Sequence, residues 1–155
     1  MMLYSKNDYK NAINHLNLYL EKNPNNAKVT FLLGKYYKKI KDWQNLINTY
    51  QLFIQGDLDA DSSPKMKNRI YQDMGTACAI LGKNETAIRL LNILSRLESG
   101  NAEVAYYLSM ALYKNGKRSE AAATIYNAKK LPNKSKALEK QIEDLTQTIR
   151  SGVPL

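Results

Sequence analysis

Several residue types on which catalytic and metal sites depend are scarce in this 155-residue chain. Cys78 is its one cysteine, so an internal disulfide is excluded, and His15 is its one histidine. A zinc site needs three or four protein ligands, and a Ser-His-Asp triad needs a positioned base with its own orienting acid. A glycine-rich phosphate loop is missing as well, because the glycines are spaced as punctuation between helices. We therefore expect no catalytic residues, no metal and no cofactor, and we interpret the protein as a non-enzyme.

Long hydrophobic runs are also absent. No stretch of eighteen apolar residues exists, which argues against a membrane-spanning helix in this chain. Residues 1–7 contain neither the apolar core nor the small-residue cleavage site of a signal peptide. The compartment is left open. The cytoplasm is the default expectation, and the periplasm follows if the chain is a fragment of an exported or membrane-anchored parent.

Acidic residues are outnumbered, since 14 aspartates and glutamates accompany 23 lysines and arginines and give a formal net charge of +9. An excess of this size attracts nucleic acid, anionic lipid and acidic protein without selecting among them. The positive charge is locally dense between Lys35 and Lys41. The simplest interpretation of most of these charges is a solvated surface.

Hydrophobic residues recur at helical spacing along almost the whole chain, and no segment alternates with the two-residue period of a strand. Short polar breaks divide the pattern, as at Pro24, which lacks the donor that a helix interior needs, and at Lys41-Asp42. Ser63 followed by Pro64 is typical of a helix N-cap and first helical residue. The pattern predicts paired helices joined by tight turns.

An acidic stretch over residues 57–62 has the alternating aspartates with which a calcium-binding loop begins. Such a loop needs glycine at its sixth position and a bidentate glutamate at its twelfth, whereas this chain has Ser62 and Asn68 there. Pro64 also falls within the span. We therefore expect a solvated polar loop and no calcium site.

A fixed step of 34 residues relates small or aliphatic positions in different helix pairs. The step separates Ala12 from Leu46, Ala87 from Ala121, and Gly75 from Ser109. A period of this length is typical of stacked helical repeats. The step from Leu46 to Ala87 is 41 residues instead, which predicts an insertion around residues 57–64.

These positions resemble the tetratricopeptide repeat (TPR) family, which places Leu-Gly on the first helix of each pair and small residues at the facing positions of the second. The residues that carry the resemblance most clearly are Leu33-Gly34, Met74-Gly75 with Ala87, and Leu108-Ser109 with Ala121. The resemblance covers roughly residues 1–133. It implies an all-α, right-handed superhelical solenoid of antiparallel helix pairs, with about seven helices plus a C-terminal capping helix.

The same frame divides a single domain over residues 1–150 into a half unit and three full units. The predicted parts are a half unit over 1–26, units over 27–56, 64–100 and 102–133, a capping helix over 135–150 and a frayed tail over 151–155. The first unit lacks its first helix. We therefore expect either a fragment of a longer protein or a terminal helix that packs against a partner, as in a homodimer.

The first helix of each pair lines a concave groove in the TPR family, and the resemblance implies a partner-binding groove here. By register its residues are Lys28, Phe31, Lys35, Lys38, Lys39, Arg69, Gln72, Thr76, Tyr106, Met110, Tyr113 and Lys114. Aromatic, methionine and basic side chains suit an extended or helical peptide of acidic character. For Phe31, Tyr106 and Tyr113, packing against adjacent helices is an equally good interpretation.

The implied function is a protein-protein interaction module or scaffold that binds a peptide or helix of a partner, within a larger assembly or a longer parent chain. One alternative is a basic nucleic-acid-binding helical repeat, with Tyr36 and Tyr37 beside the lysines. Another is a chaperone of the bacterial secretion type, although the acidic character of those chaperones is not matched. The set of residues with which some TPR proteins clamp a chaperone's carboxylate is not matched either, since only Lys35 is basic among those positions. The identity of the partner is left open.

Overall fold

The computed structural model describes residues 5–56, 58–59 and 63–155, apart from the side chain of Lys6, and in these ranges the chain is all-α with eight helices and no strand. The helices are α1 Lys6–Lys22, α2 Ala27–Lys39, α3 Trp43–Ile54, α4 Pro64–Ile80, α5 Asn84–Leu97, α6 Ala102–Lys114, α7 Arg118–Lys130 and α8 Lys136–Ser151. The predicted fold class is thereby confirmed. The possible calcium loop falls largely on residues 57 and 60–62, which lie outside the described residues.

The chain divides into two compact units, residues 1–77 (unit 1) and 78–155 (unit 2), and the division falls within α4. The single domain over residues 1–150 stays a prediction. No helix in the described ranges is long and apolar enough to span a membrane.

Side-chain caps explain where several helices begin. Ser5 caps α1 in a reciprocal arrangement, because the Asp8 amide donates to Ser5 Oγ and the Ser5 amide donates to the Asp8 carboxylate. The predicted start of α4 is confirmed, since the helix begins at Pro64 and the Met66 amide donates to Ser63 Oγ at 3.5 Å. Ser135 likewise caps α8 through the Leu138 amide. Each cap satisfies a backbone donor that a helix N-terminus leaves without an intrahelical partner.

In unit 1, α2 packs against both α1 and α3. The approach of α2 to α3 is close at Gly34, where an added Cβ would come within 2.0 Å of the Tyr50 ring. Tyr50 is fully buried, and its hydroxyl donates to the Phe31 carbonyl at 3.0 Å. Leu46, also fully buried, fills the neighbouring core position. The repeat register of Gly34 therefore has a direct steric cause.

In unit 2, α5 packs on α6, α6 on α7, and α8 covers α6 and α7. The small residues predicted to let paired helices approach are buried: the hydroxyl of Ser109 donates to the Ala121 carbonyl at 2.8 Å, and Ala87 and Ala121 are fully buried. The apolar stripe of α8 is buried through Ile142 and Leu145, among others. The predicted helix over residues 135–150 is thus α8, which covers α6 and α7.

Candidate functional site

Five basic side chains of unit 1 line one cavity of about 410 Å³, which we call the basic cavity. Its lining residues are Lys35, Lys38 and Lys39 of α2, Lys41 of the following turn, Trp43 of α3, and Arg69 and Asp73 of α4. Lysines at positions 35, 38 and 39 share one face of α2, because residues three and four apart are neighbours on a helix surface. The helix period and one turn therefore bring four lysines together, and α4 adds Arg69 as a fifth cation.

One carboxylate lies within this cluster and is already paired. Asp73 Oδ1 is 2.7 Å from Lys38 Nζ, and the Asp73 side chain is only 1% exposed. A buried carboxylate needs a partner of this kind, because losing its hydration without compensation is costly. The pair fixes Lys38 between α2 and α4 and removes it from the supply of available positive charge.

The other four cations of the basic cavity are exposed. Lys35, Lys39, Lys41 and Arg69 make no ion pair with any residue in the described ranges. The Lys35 ammonium lies 5.7 Å from the centre of the Phe31 ring, a cation–π contact that leaves its charge in place. The basic cavity therefore presents a concentrated positive potential to solvent.

A second cavity, of about 360 Å³, lies between α1 and α2, and we call it the apolar cavity. Its lining residues are Asp8, Tyr9 and Ala12 of α1 with Leu32, Lys35, Tyr36 and Lys39 of α2. The rings of Tyr9 and Tyr36 are 5.7 Å apart and tilted, within the range of a favourable aromatic pair. Leu32 is 37% exposed there.

Asp8 is the one carboxylate in the wall of the apolar cavity. Hydrogen bonds from the hydroxyl and then from the backbone amide of Ser5 lower its pKa, so it stays ionised. A negative charge at this wall disfavours a carboxylate of a ligand there. The two cavities thus differ in chemistry although they share Lys35 and Lys39.

The remaining groove residues predicted in unit 1 have other environments. Lys28 is exposed near the first turn of α2, far along the helix from Lys39. Phe31 is half-buried and stacks on Tyr50 with ring centres 6.0 Å apart. Gln72 and Thr76 are 8% and 3% exposed, which leaves a partner little area to contact.

The groove residues predicted in unit 2 are largely occupied by contacts of their own unit. Tyr106 is 8% exposed and packs edge-on against Tyr107, with ring centres 4.9 Å apart. The Lys114 ammonium donates to the Ala79 carbonyl at 3.2 Å. Met110 is half-buried. Tyr106 is thus engaged in packing, one of the two interpretations that the sequence left open for it, and the groove role of Met110 and Lys114 stays a prediction.

Tyr113 and the C-terminal tail belong to one further cavity of about 640 Å³, with Lys114, Arg118, Pro154 and Leu155 in its wall. The Tyr113 hydroxyl donates to the Val153 carbonyl. Arg118 donates to the Ile149 carbonyl at 2.8 Å, which attaches the end of α8 to α7. The tail predicted as frayed is therefore hydrogen-bonded to α6 at Val153.

Sequence reasoning missed the residues that complete the two cavities. Lys41, Trp43 and Asp73 line the basic cavity although the register did not place them in the groove. The density of lysines up to Lys41, two residues before the single tryptophan, was the signal that could have pointed to this place. No cluster of three or more potential metal ligands occurs among the described residues.

The paired helices, the close approach at Gly34 and the covering α8 together define an all-α helical repeat with TPR-like helix pairs. No protein-family model and no curated protein matches the chain. Solved structures of MamA, a TPR-like helical repeat protein, do match. One MamA crystal structure aligns with a TM-score of 0.68 and 18% identity over 97% of this chain and 95% of that chain.

Two further MamA structures agree with the first. A second crystal structure of the MamA protein gives a TM-score of 0.69 at 22% identity over 94% of this chain and 79% of that chain. The MamA MSR-1 structure gives a TM-score of 0.70 at 20% identity over 92% of this chain and 78% of that chain. Identities this low establish a shared fold, and the TPR resemblance of the sequence is supported at that level.

Proposed function

We propose that the protein is a non-enzymatic interaction scaffold that binds an acidic peptide or helix of a partner protein at the basic cavity of unit 1. The observation that carries the proposal is the set of four exposed cations without an ion pair in the described ranges, Lys35, Lys39, Lys41 and Arg69. The one nearby carboxylate in the cavity, Asp73, is already neutralised by Lys38.

Trp43 favours a protein ligand over a small anion at this cavity. Tryptophan and arginine are the side chains most enriched at energetically dominant positions of protein interfaces, and Trp43 and Arg69 lie in the same wall. A half-buried indole beside lysines offers apolar area and positive charge together. A peptide with acidic and apolar side chains uses both, whereas an inorganic anion uses only the charge.

The helical-repeat fold supports the same proposal. Repeats of helix pairs commonly present extended surfaces to partner proteins, and the matches to MamA place the fold in this structural class. Electrostatic attraction would raise the association rate, with a strong dependence on ionic strength. The partner is either another protein or a further segment of a longer parent chain.

Affinity capture from a lysate of the source cells, followed by identification of the retained proteins, tests the proposal. The test variant carries Lys35→Glu and Lys39→Glu. The control carries Lys136→Glu and Lys140→Glu, which make the same charge change at the same four-residue spacing on exposed positions of α8. We expect the test variant to lose proteins with acidic segments that the wild type and the control retain.

Equal retention by all three proteins would exclude the basic cavity as the binding surface. Retention of only a second copy of the chain would replace the proposal by a homodimer. Capture at 50 and at 300 mM salt is an independent check. Fewer acidic proteins should be retained at 300 mM, because screening weakens the attraction between exposed charges.

A further inference from the structure

We propose that the basic and apolar cavities bind one ligand together: a peptide whose apolar side chain and acidic group lie roughly 8–10 Å apart, somewhat less than the diameter of about 10–12 Å of a helix with its side chains, because the two cavities flank one ridge of α2. The inference rests on the proposed function. The inference adds that the peptide is selected for the spacing of its apolar and acidic side chains. The two cavities adjoin each other, because Lys35 and Lys39 of α2 line both.

The arrangement of side chains around α2 separates the two chemistries. At about 100° per residue, Leu32 and Tyr36 lie on one side of the ridge formed by Lys35 and Lys39, and Lys38 lies on the other. Leu32 and Tyr36 face the apolar cavity beside α1, and Lys38 faces the basic cavity beside α4. A ligand that crosses the ridge therefore meets an apolar wall and a cationic wall in a fixed order.

Charge determines which part of the ligand enters which cavity. Lys35 and Lys39 line both cavities, so the difference in charge comes from the ionised Asp8 in the apolar cavity and from Lys41 and Arg69, which line the basic cavity and have no ion pair in the described ranges. The aromatic pair of Tyr9 and Tyr36 offers a surface on which an aliphatic or aromatic side chain loses contact with water. Lys35 and Lys39, between the cavities, attract the acidic group from either side.

The separation translates into sequence spacings in the ligand. In a polyproline II peptide, side chains three residues apart lie on the same side at about 9 Å. In a helical peptide, side chains seven residues apart lie on the same side at about 10 Å. Adjacent residues in an extended chain point to opposite faces of the chain, so their side chains cannot both enter cavities on the protein side of the ligand.

Fluorescence anisotropy with labelled synthetic peptides tests the inference. One probe is a proline-rich peptide with a leucine three residues before a pair of glutamates, and a second is a helical peptide with the two features seven residues apart. The comparison peptides have the same composition with leucine next to the glutamates, or alanine for leucine, or glutamine for glutamate. We expect one of the two spaced probes to bind at least about tenfold more tightly than every comparison peptide.

Matched variants of the protein assign the effect to its cavity. Leu32→Glu places a charge in the apolar cavity, and Leu52→Glu makes the same change on α3 outside both cavities, at a residue that is also 37% exposed. We expect the Leu32→Glu variant to bind the spaced probe no more tightly than the wild type binds the alanine version of that probe. The Leu52→Glu variant should bind the spaced probe within about twofold of the wild-type affinity. Circular dichroism melts of both variants verify that they are folded.

Equal binding of spaced, adjacent and alanine peptides would overturn the inference and leave the proposed function standing, since acidic peptides would still bind. Absence of binding by both spaced probes up to 1 mM would also overturn it. Failure of the proposed function would give a different result: the Lys35→Glu, Lys39→Glu variant would capture the same proteins from the lysate as the wild type.

Discussion

Gly34 shows how one residue of the repeat frame determines the distance between two helices. A methyl group at this position would meet the Tyr50 ring at 2.0 Å, far inside van der Waals contact. Tyr50 has little freedom to move, because it is fully buried and bonded to the Phe31 carbonyl. Burial, and after it the Asp73 carboxylate, also raises the pKa of Tyr50, so its hydroxyl remains a donor.

Replacing Gly34 by alanine is expected to lower the free energy of unfolding by about 2 kcal/mol, measured by urea denaturation. The overpacking cost of about 1–3 kcal/mol exceeds the helix-propensity gain of at most about 1 kcal/mol. The control is Gly100→Ala, since a Cβ there meets nothing within 4 Å. A Gly34→Ala variant as stable as its control would contradict the close packing of α2 on α3.

Cys78 is predicted to be an unreactive thiol in the folded protein. It is 1% exposed, and burial raises the pKa of its thiol above the ordinary value of 9.0, against the smaller opposite effects of Lys83 and Arg89. Only the thiolate reacts readily with alkylating reagents. At pH 8 iodoacetamide should label Cys78 at least about a hundredfold more slowly in buffer than in 6 M urea. Rapid labelling in buffer would show that the thiol is accessible.

The raised pKa of Cys78 also has a consequence for stability. Above the ordinary thiol pKa the unfolded chain releases this proton while the folded chain retains it, so stability falls as pH rises through that range. The comparison of wild type with Cys78→Ala between pH 8 and pH 10 isolates this contribution. The wild type should lose stability more steeply with pH, and parallel curves would contradict the burial of the thiol.

At the scale of elements, most of the helix boundaries could be predicted from the sequence. Ser63-Pro64 and Ser135 are local capping signals, and α4 and α8 begin where those residues stand. The predicted capping helix over residues 135–150 differs from the observed α8, Lys136–Ser151, by one residue at each end. Local chemistry sufficed because a cap is satisfied by residues within four positions of it.

The exposure of individual groove residues could not be predicted in the same way. Helical register places Gln72 and Thr76 on a chosen face of α4, but every residue from 72 to 79 is buried. A helix covered on all sides loses the contrast between an apolar and a polar face that register arguments use. Part of the basic cavity was missed for another reason. Asp73 pairs with Lys38 across 35 positions of sequence, and helical register relates only residues of one helix.

The docking of α8 gives the prediction at this scale. Ile142 is 2% exposed within unit 2, so Ile142→Ala should reduce the free energy of unfolding by about 2–5 kcal/mol through lost burial and the cavity left behind. The neighbouring Gln141 is exposed, and Gln141→Ala should change the free energy of unfolding by less than about 0.5 kcal/mol. Urea unfolding followed by circular dichroism measures both. Equal stabilities would mean that α8 contributes nothing to unit 2.

At the scale of the whole molecule, the charge of +9 leaves open which anionic partner is attracted. Stacking platforms for single-stranded nucleic acid need aromatic rings that bases can cover. Tyr36 and Tyr9 form a single aromatic surface, and the half-buried Tyr37 adds no second one beside it, since its hydroxyl accepts a hydrogen bond from Asn17 at 3.3 Å. These contacts within unit 1 disfavour the nucleic-acid alternative.

A mobility-shift assay with a single-stranded oligonucleotide should therefore show no complex at 150 mM salt with 10 µM protein. Weak binding at 20 mM salt is expected from the net charge alone, and it should disappear steeply as salt is added. A complex that persists at 150 mM salt would favour the basic nucleic-acid-binding repeat over the peptide-binding scaffold.

The most direct test of the central claim uses Trp43, the single tryptophan of the chain and part of the wall of the basic cavity. Titration with an unlabelled glutamate-rich peptide, without tyrosine or tryptophan, should change the Trp43 fluorescence to saturation at 50 mM salt. The glutamine version of the peptide should leave it unchanged, as should the glutamate peptide added to Lys35→Glu with Lys39→Glu. An unchanged signal with the glutamate peptide and wild-type protein would contradict acidic-peptide binding at this cavity.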